Sequence, residues 1–164
     1  MSRFDKFRHY HKQFLNIAIG DDELEDLCEA FSEKVKVGVI QSSEVGGSTS
    51  FLESLSTAGK ICMINSATPQ DEIEEIVSER DLSKYFNHVF GSPSSKEKNM
   101  RKILQITNCK KDEVIFFGDA KADLEAALYV GIEFIGIGGG IGSIIRKQGH
   151  NFPHFSDFFE LTNA

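Results

Sequence analysis

The chain has 164 residues, 40% hydrophobic and 26% charged, with a net charge of −7. That length supports one domain with a real core, or such a domain plus a small helical appendage. The acidic balance argues against a general nucleic-acid binder, which needs a basic surface, and no 18-residue apolar run is present to cross a membrane.

The N-terminal "MSRFDKFRHYHKQF" is charged throughout and lacks the apolar segment of a signal peptide. Phe4, Phe7, His11, Phe14 and Leu15 share one helical face. Asp21 or Asp22 can cap a second helix with Leu24, Leu27, Cys28 and Phe31 on its inner side. "VKVGVI" (Val35 to Ile40) fits either the end of that helix or a strand in which Val35, Val37 and Val39 alternate. "GGSTSFLESLSTAG" reads as a short helix between glycines. "ICMINS" is a buried-strand run, after which Thr68 caps a helix with Pro69 at its first position. "HVFG" is a strand, and Ser94 or Ser95 starts a helix carrying Met100, Ile103 and Leu104. "VIFFGD" is a strand, followed by a helix from Ala120 to Val130 that Gly131 stops. "IEFIGIG" is a further strand, with a helical stretch after it. Strands alternating with helices predict an α/β fold, a parallel sheet covered on both faces. Ligands bind such sheets beyond the C-terminal strand ends.

Three polar sites fall at those ends. Ser66 closes "ICMINS" before a helix N-terminus, where a hydroxyl and backbone N–H groups make an anion cradle; it reads equally as a helix-entry serine. Lys96 follows "HVFG" by a tight loop and can point back over the strands, or be a solvated surface lysine. Asp119 and Asp123 flank a helix start. They serve a ligand there or simply cap and offset the helix dipole. Their order along the chain makes a shared site less accidental than any one of them alone.

That ordered set resembles the haloacid dehalogenase (HAD) superfamily, in the branch of phosphoglycolate phosphatase and β-phosphoglucomutase. "ICMINSATPQDEI" is similar to the second family motif, "VFGSPSSKEKNMRKIL" to the third, and "VIFFGDAKADLEAA" to the fourth, Gly-Asp-x-x-x-Asp. The resemblance covers Gly46 to Gly138. It implies a three-layer Rossmann-like core over residues 46–164, preceded by a partial helical cap over residues 1–45. It further implies that Ser66 and the following amides, beginning with Ala67, hold a phosphate and that Lys96 neutralises its charge. Asp119 would help hold Mg²⁺, with Asp123 in support, and the substrate would be a small phosphorylated metabolite.

The family's first motif is Asp-x-Asp at the end of the central strand; its first Asp attacks phosphorus. Aspartates stand at 5, 21, 22, 26, 71, 81, 112, 119, 123 and 157, and no two are separated by one residue. The closest mimic is "VGVIQSSEVGG", but neither Gln41 nor Ser43 replaces a carboxylate nucleophile. Losing a covalent nucleophile typically costs roughly 10⁴- to 10⁶-fold in rate. The resemblance therefore implies a chain that is inactive by itself, lacks an N-terminal strand, or borrows one. Because the first-motif strand lies between those of the second and fourth motifs, its slot should be filled, either by "VKVGVI" or by a partner chain, including a second copy. The competing function is a non-catalytic phosphate-binding or protein-interaction module.

The remaining signals are weaker. "GIGGGIGS" lacks dinucleotide spacing, with Ile at 141 where Gly is required. His150 and His154 read as a surface pair, and His9 and His11 cannot share a helical face. "NFPHFSDFF" reads as an aromatic stretch against the domain edge. Cys28, Cys62 and Cys109 form no Cys-x-x-Cys pair and suit free thiols in a cytoplasmic protein.

Overall fold

A computed structural model describes residues 3–138, 140, 141, 144 and 149–164. The chain divides into two compact units, Met1–Ser42 and Ser43–Ala164.

The first unit is helical. Helix α1 (Arg3–Tyr10) runs into a π-helical turn (His11–Leu15) that Asn16 ends in the left-handed conformation, φ 54°. The wider turn breaks the 3.6-residue period, so the expected apolar face is not continuous. Phe7 packs edge-on against Phe31 at 5.4 Å, whereas Phe14 is 75% exposed. Helix α2 (Asp21–Gln41) buries Leu24 and Cys28. Its N-cap is Gly20 rather than an aspartate. Asp21 instead pairs with Arg8 at 2.5 Å, and Asp21, Asp22 and Glu23 occupy the first turn, where the dipole favours negative charge. Val35 to Ile40 is helical, so of the two readings the helix end holds and the strand does not. Valines disfavour helix slightly, but extending an existing helix adds one hydrogen bond per residue fixed and outweighs that preference.

The second unit is a three-layer α/β arrangement. Helix α3 (Ser48–Thr57) precedes β1 (Met63–Pro69), α4 (Gln70–Glu79), β2 (His88–Ser92) and α5 (Lys96–Thr107). Then come β3 (Ile115–Gly118), α6 (Lys121–Val130), β4 (Glu133–Ile137), β5 (His154–Phe155) and α7 (Phe158–Thr162). Strand β1 runs further than expected, through Pro69, and α4 starts only at Gln70. Proline keeps the preceding Thr68 extended, and Pro69 takes the N-cap position without a side-chain cap. The C-terminal stretch does more than cover an edge, since it supplies β5 in parallel with β4. Residues 139, 142, 143 and 145–148, which include parts of "GGIGS" and of the helix expected after it, lie outside the described residues.

All strand pairings are parallel, but they form two separate sheets, β1–β2 and β3–β4–β5. Among the described residues no strand joins β1 to β3. Helices α3 and α5 nevertheless link the two sides of that gap. On α3, Phe51 packs against Phe117 of β3 at 5.5 Å, while Glu53 accepts a hydrogen bond from Tyr85, just before β2, at 3.0 Å. On α5, Met100 packs with Ala126, Val130 and Ile132, while Asn99 reaches Asn65 of β1. Burial follows the pairing. Strand β4, flanked on both sides, is buried from Phe134 to Ile137, whereas β3 is half-buried and its Ile115 is 47% exposed. The core sits around Leu124, Ala127, Phe134 and Ile141. No helix among the described residues is long and apolar enough to cross a membrane.

Candidate active site

The loop after β2 ends at Ser95, whose hydroxyl accepts from Lys98 N at 3.4 Å and starts α5 at Lys96. Glu97 is held below the ordinary carboxylate range, first by the Ser95 hydroxyl and then by its own backbone N–H, with Lys96 adding attraction. The Lys96 ammonium crosses between the sheets. It donates to Asp123 Oδ1 at 2.5 Å and to the Asn65 carbonyl at 3.2 Å, and it lies 5.9 Å from the Phe116 ring centre. The middle of β1 and the helix that follows β3 therefore meet at this lysine. An ammonium has three donors, and these contacts account for two.

Asp123 is 3% exposed. Its second oxygen, Oδ2, accepts from Asp119 N at 3.2 Å and Ala120 N at 3.1 Å, so one carboxylate folds the β3–α6 turn and anchors the lysine. Such a charge-assisted cap is stronger than a neutral one. Gly118 is needed for this approach: a Cβ there would lie 2.4 Å from Asp123 Cβ and 2.8 Å from its Cγ. Gly118→Ala is expected to destabilise by about 3 kcal/mol, the upper end for overpacking, with an unchanged denaturant m-value. An unchanged unfolding midpoint would show that the turn can move aside. Asp119 is exposed.

Ser66 lies within β1 rather than at its end, four residues before α4, so its hydroxyl does not sit at the helix N-terminus. Its Oγ accepts from Thr68 N at 3.1 Å, where pairing with β2 is interrupted between Asn65 and Pro69. Ala67 is exposed at this break. Ser66 is linked to Lys96 through its neighbour Asn65. The structure thus brings Lys96 and Asp123 together, with Asp119 on the adjoining turn and Ser66 one residue beyond the Asn65 that bonds Lys96.

Sequence reasoning missed Asn65 and Asn99. Asn65 Nδ2 donates to the Lys96 carbonyl at 3.0 Å, and Asn99 Nδ2 donates to Asn65 Oδ1 at 3.1 Å and to the Gly91 carbonyl at 3.4 Å. A polar residue inside the apolar run "ICMINS" was the available signal. His154 is held structurally, donating from Nε2 to the Gly138 carbonyl at 2.7 Å.

The described residues do not by themselves form a magnesium site. Magnesium takes octahedral oxygen ligands, but both Asp123 oxygens are engaged and only Asp119 offers an exposed carboxylate here. No three His, Cys, Asp or Glu side chains converge among the described residues.

A family model for haloacid dehalogenase-like hydrolases matches residues 4–137. The GMP/IMP nucleotidase YrfG of Escherichia coli (strain K12) is 25% identical over 142 residues, which are 83% of this chain and 62% of that protein. The chain thus spans 62% of the length of that curated relative. Two crystal structures share the fold. A predicted phosphoglycolate phosphatase from Haemophilus somnus has a TM-score of 0.80 and 16% identity, over 98% of this chain and 74% of that one. A candidate β-phosphoglucomutase from Thermotoga maritima has a TM-score of 0.72 and 22% identity, over 92% and 72%.

Proposed function

The chain belongs to the haloacid dehalogenase-like hydrolases, and on that premise we propose that it carries the phosphate-binding half of a phosphomonoester hydrolase site. The observation that carries this reading is Lys96, fixed between Asn65 on β1 and Asp123 beyond β3 at the edge of an interrupted sheet. The Ser66 hydroxyl and the Ala67 amide hold phosphate oxygens. Lys96 offsets the phosphate charge through its remaining donor. Asp123 fixes the lysine and the turn, and Asp119 is this chain's contribution to a Mg²⁺ site that needs at least one further carboxylate.

The attacking carboxylate belongs on a strand between β1 and β3. Since no Asp-x-Asp occurs in the 164 residues, another polypeptide segment supplies it, from a partner chain or a longer form of the protein. Residues 1–45 act as part of a cap and residues 46–164 as the core. The substrate class is a small phosphorylated metabolite, and a purine nucleoside monophosphate is the first to try, given the YrfG relative. Cys28, Cys62 and Cys109 form no disulfide, which fits a cytoplasmic setting.

A second reading is favoured by the same missing motif: a non-catalytic phosphate-binding or protein-interaction module. Both catalytic and silent phosphate-binding forms require an anion site. Inorganic phosphate or orthovanadate at 100 times its Kd is expected to stabilise the protein by about 2.7 kcal/mol, and Lys96→Ala to abolish the effect. Thermal unfolding with no anion-dependent shift would contradict both, leaving the protein-interaction form. Mg²⁺-dependent turnover of an aryl phosphate would exclude the silent forms.

A further inference from the structure

We propose that Asn65 and Asn99 are positioning residues, a two-amide clamp that sets where the Lys96 ammonium stands; its value for phosphate binding rests on the proposed function above. Asn99 is 3% exposed, a buried polar residue on the inner face of α5. A buried amide costs stability unless its groups are paired. Its Nδ2 is paired with two acceptors on two strands, Asn65 Oδ1 at 3.1 Å on β1 and the Gly91 carbonyl at 3.4 Å on β2. An apolar residue would fill that space without tying α5 to a chosen register.

The tie passes to Lys96 twice through one residue. Asn65 donates from Nδ2 to the Lys96 backbone carbonyl at 3.0 Å, and its own backbone carbonyl accepts from Lys96 Nζ at 3.2 Å. The root and the tip of the lysine are thus both referred to Asn65, and Asn99 fixes the rotamer of Asn65. A four-carbon side chain otherwise has many rotamers, and restricting them costs up to about 2 kcal/mol of entropy. The clamp meets that cost in the folded protein before any anion arrives.

Competitive acetylation tests the clamp without requiring activity or a ligand. The Lys96 amine is compared by mass spectrometry with Lys121, a surface lysine paired to Glu125 at 2.9 Å. Asn99→Leu and Asn65→Ala are expected to raise the Lys96:Lys121 rate ratio about tenfold, as expected for loosening hydrogen bonds to a charged group. Gln70→Ala is the control. Gln70 ties the start of α4 to β2, donating to the Val89 carbonyl at 3.0 Å and accepting from Gly91 N at 2.6 Å, and neither bond involves Lys96 or Asn65. Its ratio is expected to stay at the wild-type value. An equal rise in all three variants, or no rise in either asparagine variant, would overturn the clamp. If Asn99→Leu does not fold, Asn99→Ser and Asn65→Ala decide on the same readout. Phosphate titration of the same proteins answers the separate question. A wild type that binds no phosphate defeats the proposed function, while the labelling ratio still decides the clamp.

Discussion

Asp123→Ala is expected to lower stability by about 3–5 kcal/mol, the range for removing one partner of a buried ion pair. Both side chains lie well inside the protein, Lys96 at 19% and Asp123 at 5% exposure, so solvent screens the pair only weakly. The variant leaves the ammonium with the Asn65 carbonyl as its described partner. It also leaves the Asp119 and Ala120 N–H groups without the Oδ2 that now accepts from both. Loss of a cap alone typically costs about 1 kcal/mol. Asp123→Asn separates the two contributions, because it keeps an acceptor for the turn and removes the charge that faces Lys96. It is expected to fall between the wild type and Asp123→Ala. Urea unfolding checks this through the midpoint at constant m. A loss below about 1 kcal/mol for Asp123→Ala, the size of an exposed pair, would show that Asp123 does not hold the lysine.

Much of the second unit is legible in the sequence because local chemistry and tertiary packing agree there. Ser95 caps α5, Gly131 ends α6 at φ 77°, and "IEFIGIG" becomes the buried β4. The failures come where two local rules compete. At Val35 to Ile40 both periods fit, and helix propagation wins over β-branching. At Thr68-Pro69 a capping pattern coincides with the extended conformation that proline imposes on its predecessor, and the extension wins. The π-helical turn after Tyr10 removes a face that an ideal helix would present.

The site is legible as residue types but not as geometry. "FFGDAKAD" identifies Asp119 and Asp123, yet spacing alone treats them as equivalent carboxylates. Burial separates them: Asp123 is a structural anchor for Lys96, and Asp119 is the exposed acid. Asn65 and Asn99 were hidden because their meaning depends on contacts 34 residues apart. The missing first motif pointed to a vacated slot, but the reading in which "VKVGVI" fills it fails, because that segment is helical and the described strands form two separate sheets. How the two sides stay linked was not foreseeable: α5 bonds β1 through Asn99 and packs on α6 through Met100, and α3 reaches β3 and the turn before β2.

A strand entering between β1 and β3 in parallel would bring its C-terminal residues towards Lys96, which bonds Asn65 of β1 and Asp123 beyond β3. The most direct measurement adds a short apolar peptide ending in Asp-x-Asp, with Mg²⁺ and an aryl phosphate, and compares it with the same peptide ending in Asn-x-Asp. A covalent nucleophile is worth roughly 10⁴- to 10⁶-fold, so even fractional occupancy of the slot gives a measurable difference. The predicted result is turnover with the Asp-x-Asp peptide alone, lost in Lys96→Ala. Equal rates with both peptides, or turnover by the chain without either, would contradict a nucleophile delivered on that strand.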